Sequence, residues 1–211
     1  MIHFRTLAAA LLAVLAWQAP AIAESQAEAP TEGEASTEIV EMALGNPEAS
    51  VTLIEYASFT CSHCANFHGS QFKKLKAEYI DTGKIHFIYR DVYFDRIGLW
   101  AAMLARCESP RFFGVSGLLY EKQGEWLNSR DPVQIADNLR KLGKVAGLAD
   151  DRIEACLSDA DKATALVAWF EENREADGID STPSLVINGT KYTNMAYSDL
   201  KALIDKELGA E

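Results

Sequence analysis

Two cysteines, Cys61 and Cys64, stand two residues apart where a strand pattern gives way to a helix pattern. Residues 51–56 are β-rich and almost continuously apolar, as in a strand that is buried on both faces. From Cys61 to Tyr79, apolar residues recur at spacings of three and four. The free N–H groups and positive dipole of a helix N-terminus stabilise a thiolate. We therefore predict that Cys61 is the attacking sulfur and that Cys64, one turn later, is the resolving sulfur.

The residues around this pair favour redox chemistry over metal binding. His63, between the two cysteines, would add positive charge beside the Cys61 thiolate if it were protonated. A stabilised thiolate favours the reduced pair and makes its disulfide a stronger oxidant. A structural zinc site needs four ligands, and the chain has neither a second CxxC nor paired histidines. A static disulfide is the other alternative. We predict a redox-active disulfide with no metal and no cofactor.

The remaining segments predict an α/β fold that a helical segment interrupts. Residues 85–90 form the next predicted strand, parallel to the first because a helix connects them. From 96 to 176 the period is helical throughout. Asn188-Gly189 then marks a hairpin between strands at 184–187 and 191–193, and a final helix runs from 198 to 208. The predicted order is βαβ, a helical insertion and ββα.

The N-terminal segment is typical of an exported protein. Arg5 precedes an apolar run from Leu7 to Trp17, and small residues lead to a cleavage site after Ala23. We expect residues 1–23 to be a signal peptide and the mature protein to be periplasmic; an uncleaved anchor is the alternative. Residues 24–41 are rich in glutamate and predict an acidic disordered tail. The formal net charge of −11 argues against a nucleic-acid partner.

Glu55 lies six residues before Cys61, inside the apolar strand. A lone carboxylate in such a strand is costly unless it has a function or a partner. We interpret it as a buried acid that transfers a proton to or from Cys64 through water. The alternative is a carboxylate at the strand edge that reaches solvent or Lys84. His68, farther along the first helix, is interpreted as a packing or surface residue rather than a catalytic base.

The other two cysteines, Cys107 and Cys156, fall in separate helices of the insertion. They could form a second redox pair, a structural disulfide that joins two helices, or two separate thiols; a structural disulfide is the preferred interpretation. Thr182-Pro183 precedes the last strand pair, where a proline suits either a strand start or a cis peptide bond.

Together these motifs resemble the DsbA family of periplasmic disulfide oxidoreductases, within the thioredoxin superfamily. The resemblance covers residues 45 to 208. It rests on the segment EYASFTCSHC at 55–64, on the helical insertion and on Ser181-Thr182-Pro183 before a hairpin. It implies a thioredoxin fold, with residues 42–95 as its first part, 96–177 as the helical insertion and 178–211 as its second part.

The resemblance also implies a function. The Cys61–Cys64 disulfide would pass to exported folding proteins through a mixed disulfide on Cys61, and a membrane partner of the DsbB type would reoxidise the protein. Pro183 would be cis and face the active site, while the Thr182 backbone would pair with extended substrate. Cys107 and Cys156 are similar to the extra disulfide of a subgroup common among alphaproteobacteria. We expect a monomer.

Two positions depart from the best-known family members. Ser62 replaces the usual proline between the cysteines, and Thr182 replaces the frequent valine before the cis proline. Both positions tune redox potential and substrate handling in the family. A periplasmic reductase or isomerase is therefore one alternative function, and a usual isomerase would need a dimerisation domain. A non-enzymatic chaperone or a copper metallochaperone is an alternative of a different class.

Overall fold

The computed structural model describes residues 38–209. The predicted signal peptide and residues 24–37 of the predicted tail lie outside this range. Residues 38–41, which the sequence assigned to the tail, contact the folded part. Arg90 Nε donates to Glu41 Oε1 at 3.0 Å, and Arg106 Nη1 donates to the Val40 carbonyl at 2.9 Å. Within the described range, no helix is long and apolar enough to cross a membrane.

The described residues contain a five-stranded mixed sheet. Its strands are β1 (Met42–Gly45), β2 (Thr52–Ala57), β3 (His86–Asp91), β4 (Ser184–Ile187) and β5 (Thr190–Thr193). They lie in the order β1-β3-β2-β4-β5. The β2–β3 pair is parallel, as the sequence predicted, and all other neighbours are antiparallel. The strand β1, which the sequence analysis missed, covers the edge of β3.

Helices lie between the strands in the predicted order. They are α1 (Ser62–Leu75), α2 (Arg96–Ala105), α3 (Phe112–Glu121), α4 (Gln123–Trp126), α5 (Pro132–Val145), α6 (Asp150–Ser158), α7 (Ala160–Ala176) and α8 (Tyr197–Glu207). The first helix was predicted to continue to Tyr79. Instead, α1 passes into a π-helical turn over Lys76–Ile80. The predicted fold class, a thioredoxin fold with an all-helical insertion, is confirmed.

The alternation of β2 decides which of its side chains face α1. Leu53 and Ala57 belong to the main core, together with Phe67 and Leu75 of α1. Tyr56 belongs to a second cluster on the other face of the sheet. Because side chains in a strand alternate between faces, Glu55 shares the α1 side with Leu53 and Ala57. The pleat of β2 therefore places a carboxylate in the core beneath the helix that carries the cysteines.

Two close turns depend on backbone with positive φ. Asn188 and Gly189 have φ values of 46° and 81°, which suit the two-residue turn that the sequence predicted between β4 and β5. At the end of β1, Gly45 has a φ of 85°, and a Cβ there would clash with the backbone carbonyl of Ile85. The glycine lets β1 lie against the segment that leads into β3.

A buried ion pair joins the helical insertion to the sheet, and a disulfide joins two segments of the insertion to each other. Arg106 follows α2, and its Nε donates to Asp91 Oδ2 of β3 at 2.6 Å, with both side chains almost fully buried. The next residue, Cys107, is bonded to Cys156 of α6 across 49 residues of sequence. The disulfide therefore fixes the end of α2 to α6 next to the point where α2 is held to the sheet.

We predict that changing both Cys107 and Cys156 to serine lowers the free energy of unfolding by about 4 kcal/mol, the value that loop closure gives for a loop of this length. Urea unfolding of the parent and the variant without reductant, both with the Cys61–Cys64 pair oxidised, measures the difference. Equal stability of the two proteins would show that this disulfide does not restrain the insertion.

Candidate active site

Cys61 and Cys64 lie at the start of α1, with unequal exposure. Cys61 is the N-cap residue and has extended backbone, so its carbonyl accepts the first helical hydrogen bond, from the Ala65 N–H at 3.1 Å. Cys64 lies in the first turn and is fully buried, whereas Cys61 is half-buried. Both are free thiols in this structure. Only the Cys61 sulfur is therefore open to an incoming reactant.

The surroundings of Cys61 strongly favour its thiolate. A hydrogen bond from the Cys64 thiol is the largest cause that lowers the Cys61 pKa, to about 5 from its ordinary value of 9.0. Burial opposes this change, while the Thr182 side chain and the backbone N–H groups of Cys64 and His63 reinforce it. A pKa this low favours the ionised form of Cys61 at neutral pH, and the helix N-terminus contributes to it through these backbone N–H groups.

Cys64 has the opposite character. The hydrogen bond that it donates to Cys61 holds its proton, and burial further raises its pKa. The negative charge of Glu55 raises the same pKa. The two sulfurs of one motif therefore differ in their preferred protonation state, because the site favours a thiolate at half-buried Cys61 and a thiol at buried Cys64.

The loop before β4 lies beside Cys61. The Thr182–Pro183 peptide bond is cis, and Pro183 is buried. The Thr182 carbonyl oxygen lies 3.6 Å from Cys61 Sγ. Because Ser184, the first residue of β4, pairs with Tyr56 of β2, the sheet holds this loop in place against the start of α1. Backbone groups suited to pairing with an extended chain therefore border the reactive sulfur.

Two residues near the pair differ in what they contribute. His63 is exposed, and the group that it brings to Cys61 is its backbone N–H; a contribution from its ring charge stays a prediction. Gln123 of α4, which the sequence analysis missed, donates from Nε2 to the carbonyl oxygens of Phe59 and Cys61 at 2.8 and 3.0 Å. This amide fixes the loop that carries Cys61, and no local sequence pattern marks it.

Glu55 is fully buried, and its partner is His68. His68 Nε2 lies 3.0 Å from Glu55 Oε1 and 3.1 Å from Oε2. The alternative that Glu55 reaches solvent or Lys84 is therefore wrong. His68 packs inside the protein, as predicted, but it also forms the polar contact that a buried carboxylate requires. Its position four residues after Cys64, on the inward face of α1, is the signal that could have indicated this pairing.

These groups form the arrangement of thioredoxin-fold proteins that carry a CxxC pair at the start of the first helix. Among residues 38–209, no cluster of three or more histidine, cysteine or carboxylate side chains suits a metal ion. A protein-family model described as Thioredoxin matches residues 37–206. The chain belongs to this family.

Several known proteins resemble the chain. A protein of Rickettsia prowazekii, named "Putative protein-disulfide oxidoreductase", is 33% identical over 174 residues, which cover 81% of this chain and 62% of that protein. A Rickettsia bellii relative of the same name is 31% identical, over 80% of this chain and 64% of its own length. The chain thus spans less than two thirds of these relatives. Bacillus subtilis disulfide bond formation protein D is 28% identical, with 78% and 76% covered.

A solved structure shows the same architecture. The crystal structure of Wolbachia pipientis alpha-DsbA1 superimposes with a TM-score of 0.74 at 29% identity, covering 80% of this chain and 91% of that chain. The structure of BdbD from Bacillus subtilis has a TM-score of 0.70 at 23% identity, covers 80% of this chain and 93% of that chain, and shares the fold. The resemblance inferred from the sequence motifs is therefore confirmed.

We predict that the rate of Cys61 alkylation in the reduced protein falls as the pH is lowered, with a midpoint near pH 5. Because the folded-state pKa is depressed, ionisation stabilises the reduced protein fully above pH 9, and this contribution is lost as the pH falls through 5. Iodoacetamide labelling against pH, followed by mass analysis, measures the midpoint.

The Cys64→Ala variant provides the matched comparison. It removes the hydrogen bond that lowers the Cys61 pKa most, so its alkylation midpoint should move to higher pH. An unchanged midpoint in this variant would contradict the assignment of the Cys64 thiol as the main stabilising group.

Proposed function

We propose that the protein is a thiol–disulfide oxidoreductase that donates the Cys61–Cys64 disulfide to folding proteins. The observation that carries this proposal is the opposite effect of the site on its two sulfurs. Cys61 is half-exposed with a pKa of about 5, and Cys64 is buried with a raised pKa. Because the site stabilises the reduced pair, the disulfide form readily accepts electrons and is an oxidant.

The transfer proceeds in two exchanges. A substrate thiolate attacks the Cys61 sulfur, the Cys61–Cys64 bond breaks, and Cys64 leaves with the electron pair and takes up a proton. The second substrate thiol then loses its proton and attacks the substrate sulfur of the mixed disulfide, which releases Cys61 as a thiolate. Two electrons pass to the protein, and the substrate gains a disulfide. The low pKa makes Cys61 a good leaving group in the second exchange.

Other residues of the site support each exchange. Glu55 acts as the buried acid that supplies the proton to Cys64 and removes it again on reoxidation. The backbone of Thr182 pairs with an extended substrate segment beside Cys61, and Pro183 holds this loop in position. His63 adds positive charge near the thiolate when its ring is protonated. The disulfide between Cys107 and Cys156 serves a structural purpose.

The physiological setting follows from the expected export of the protein. Its substrates are exported proteins that acquire disulfides as they fold in the periplasm, after cleavage of the signal peptide at Ala23. A membrane protein of the DsbB type restores the Cys61–Cys64 disulfide. The protein acts as a monomer, with no cofactor beyond the cysteine pair. The names of its relatives, which refer to disulfide oxidoreductases and disulfide bond formation, support this assignment.

We predict that Cys61→Ser abolishes oxidation of a reduced two-cysteine peptide, because the attacked sulfur is lost. In Cys64→Ala, exchange with the oxidised peptide should stop at a mixed disulfide on Cys61, because the resolving thiol is lost. Mass analysis after acid quenching detects both results. The Cys107→Ser/Cys156→Ser variant, with the motif intact, is the control that should still oxidise the peptide. A mixed disulfide on Cys64 in the Cys61→Ser variant would contradict the assigned order of attack.

A further inference from the structure

The proposed exchanges require a proton to reach and leave a site that is closed to solvent. Cys64 and Glu55 each have 0% of their surface exposed. Cys64 must gain a proton when the disulfide opens and lose one when it reforms. Glu55 can exchange that proton with Cys64, but a fully buried carboxyl cannot exchange it with bulk water by itself. The fold must therefore contain a group that connects Glu55 to water.

His68 touches both Glu55 and a cavity between α1 and α3. Its Nε2 lies within 3.1 Å of both Glu55 oxygens, and its ring lines a cavity of about 260 Å³. This volume holds several water molecules. Because Nε2 faces Glu55, the other ring nitrogen, Nδ1, is the one that would exchange a proton with water in the cavity. An imidazole that binds a proton at one nitrogen and releases one at the other is a proton shuttle.

Aromatic rings fix the orientation of this imidazole. Tyr120 of α3 stacks on the His68 ring with centroids 4.1 Å apart and an interplanar angle of 16°. Phe72, one turn later on α1, lies 4.6 Å away by the same measure. The two rings keep Nε2 directed at the carboxylate.

Other titratable groups nearby are poorly suited to the task. The hydroxyls of Tyr89 and Tyr120 are 2.6 Å apart, and burial raises the pKa of both well above the ordinary value, so both stay neutral. The charged residues that line the cavity are Lys73, Lys76 and Glu121. They border the water-accessible side of His68 and do not reach Glu55 through any hydrogen bond of the described residues.

We propose that His68 relays the proton between Glu55 and water in this cavity, and so couples Cys64 to solvent during disulfide exchange. The inference rests on the proposed function. When Cys64 leaves as a thiolate, Glu55 gives it a proton, His68 returns one to Glu55 from Nε2, and water gives one to Nδ1. Reoxidation reverses each transfer. His68 acts through Glu55 and is a positioning and relay residue, since it does not touch the substrate.

The test compares single-turnover exchange in wild type and in His68→Gln. Glutamine keeps a hydrogen-bond donor for Glu55 but cannot pass a proton through its side chain. Oxidised protein is mixed with a reduced two-cysteine peptide, quenched with acid, alkylated and weighed by mass. We expect His68→Gln to react about 10²-fold more slowly, in line with the loss of a proton-transfer group. His86→Gln, a change at the start of β3, is the matched control and should react at the wild-type rate.

A second variant distinguishes the loss of a proton-transfer group from the loss of a side chain that fills space. His68→Ala opens space beside the cavity, so added imidazole should restore its rate. Pyrazole has the same shape but is a much weaker base and should not restore it. Rescue by pyrazole as strong as rescue by imidazole would overturn the inference, since it would mean that His68 only fills space.

The result for the wild-type protein distinguishes a failure of the relay from a failure of the proposed function. A wild-type protein that does not oxidise the peptide overturns both the function and the relay. A wild-type protein that reacts while His68→Gln matches its rate overturns the relay alone, and leaves the cysteine chemistry in place. A His68→Ala variant that does not fold leaves the His68→Gln comparison to decide.

Discussion

The hydrogen bond from the Cys64 thiol to the Cys61 sulfur connects the fold of this protein to its chemistry. It forms because the N-cap of α1 and the buried first turn of the same helix lie three residues apart. It lowers the pKa of the exposed sulfur and raises that of the buried one. The strand β2, the loop before β4 and the Gln123 amide all hold this short segment in place. A small change of geometry there would alter both sulfurs together.

The sheet contributes the second constraint. The alternation of β2 directs Glu55 under α1, and the helical period of α1 puts His68 on the inward face, where the two side chains meet. A buried carboxylate needs such a partner, since an unpaired one would be too costly. In the proposed relay, the same contact connects the buried sulfur to the cavity between α1 and α3. The proposal therefore makes the stability of the core and the movement of protons depend on the same pair of residues.

Most of the fold prediction was based on hydrophobic periodicity and on turn residues. The parallel β2–β3 pair, the helical insertion and the hairpin at Asn188-Gly189 all follow from patterns that are local in the sequence. The strand β1 has only four residues, too few for a periodic signal, and the π-helical turn after Leu75 has no marker of its own. Such features are fixed by packing between segments that are distant in the chain.

Only part of the site was predicted from the sequence, for the same reason. Cys61 and Cys64 carry a local motif, whereas Gln123 reaches Cys61 across 62 residues of sequence. The partner of Glu55 also depended on tertiary contact, because the choice between solvent, Lys84 and His68 is made by how α1 lies on the sheet. The central claim is that this site makes the Cys61–Cys64 disulfide an oxidant. Its most direct test is the reduction potential at equilibrium with glutathione, in the Cys107→Ser/Cys156→Ser variant. The account predicts a value near roughly −120 mV, and a value near roughly −270 mV, as in thioredoxin, would contradict it.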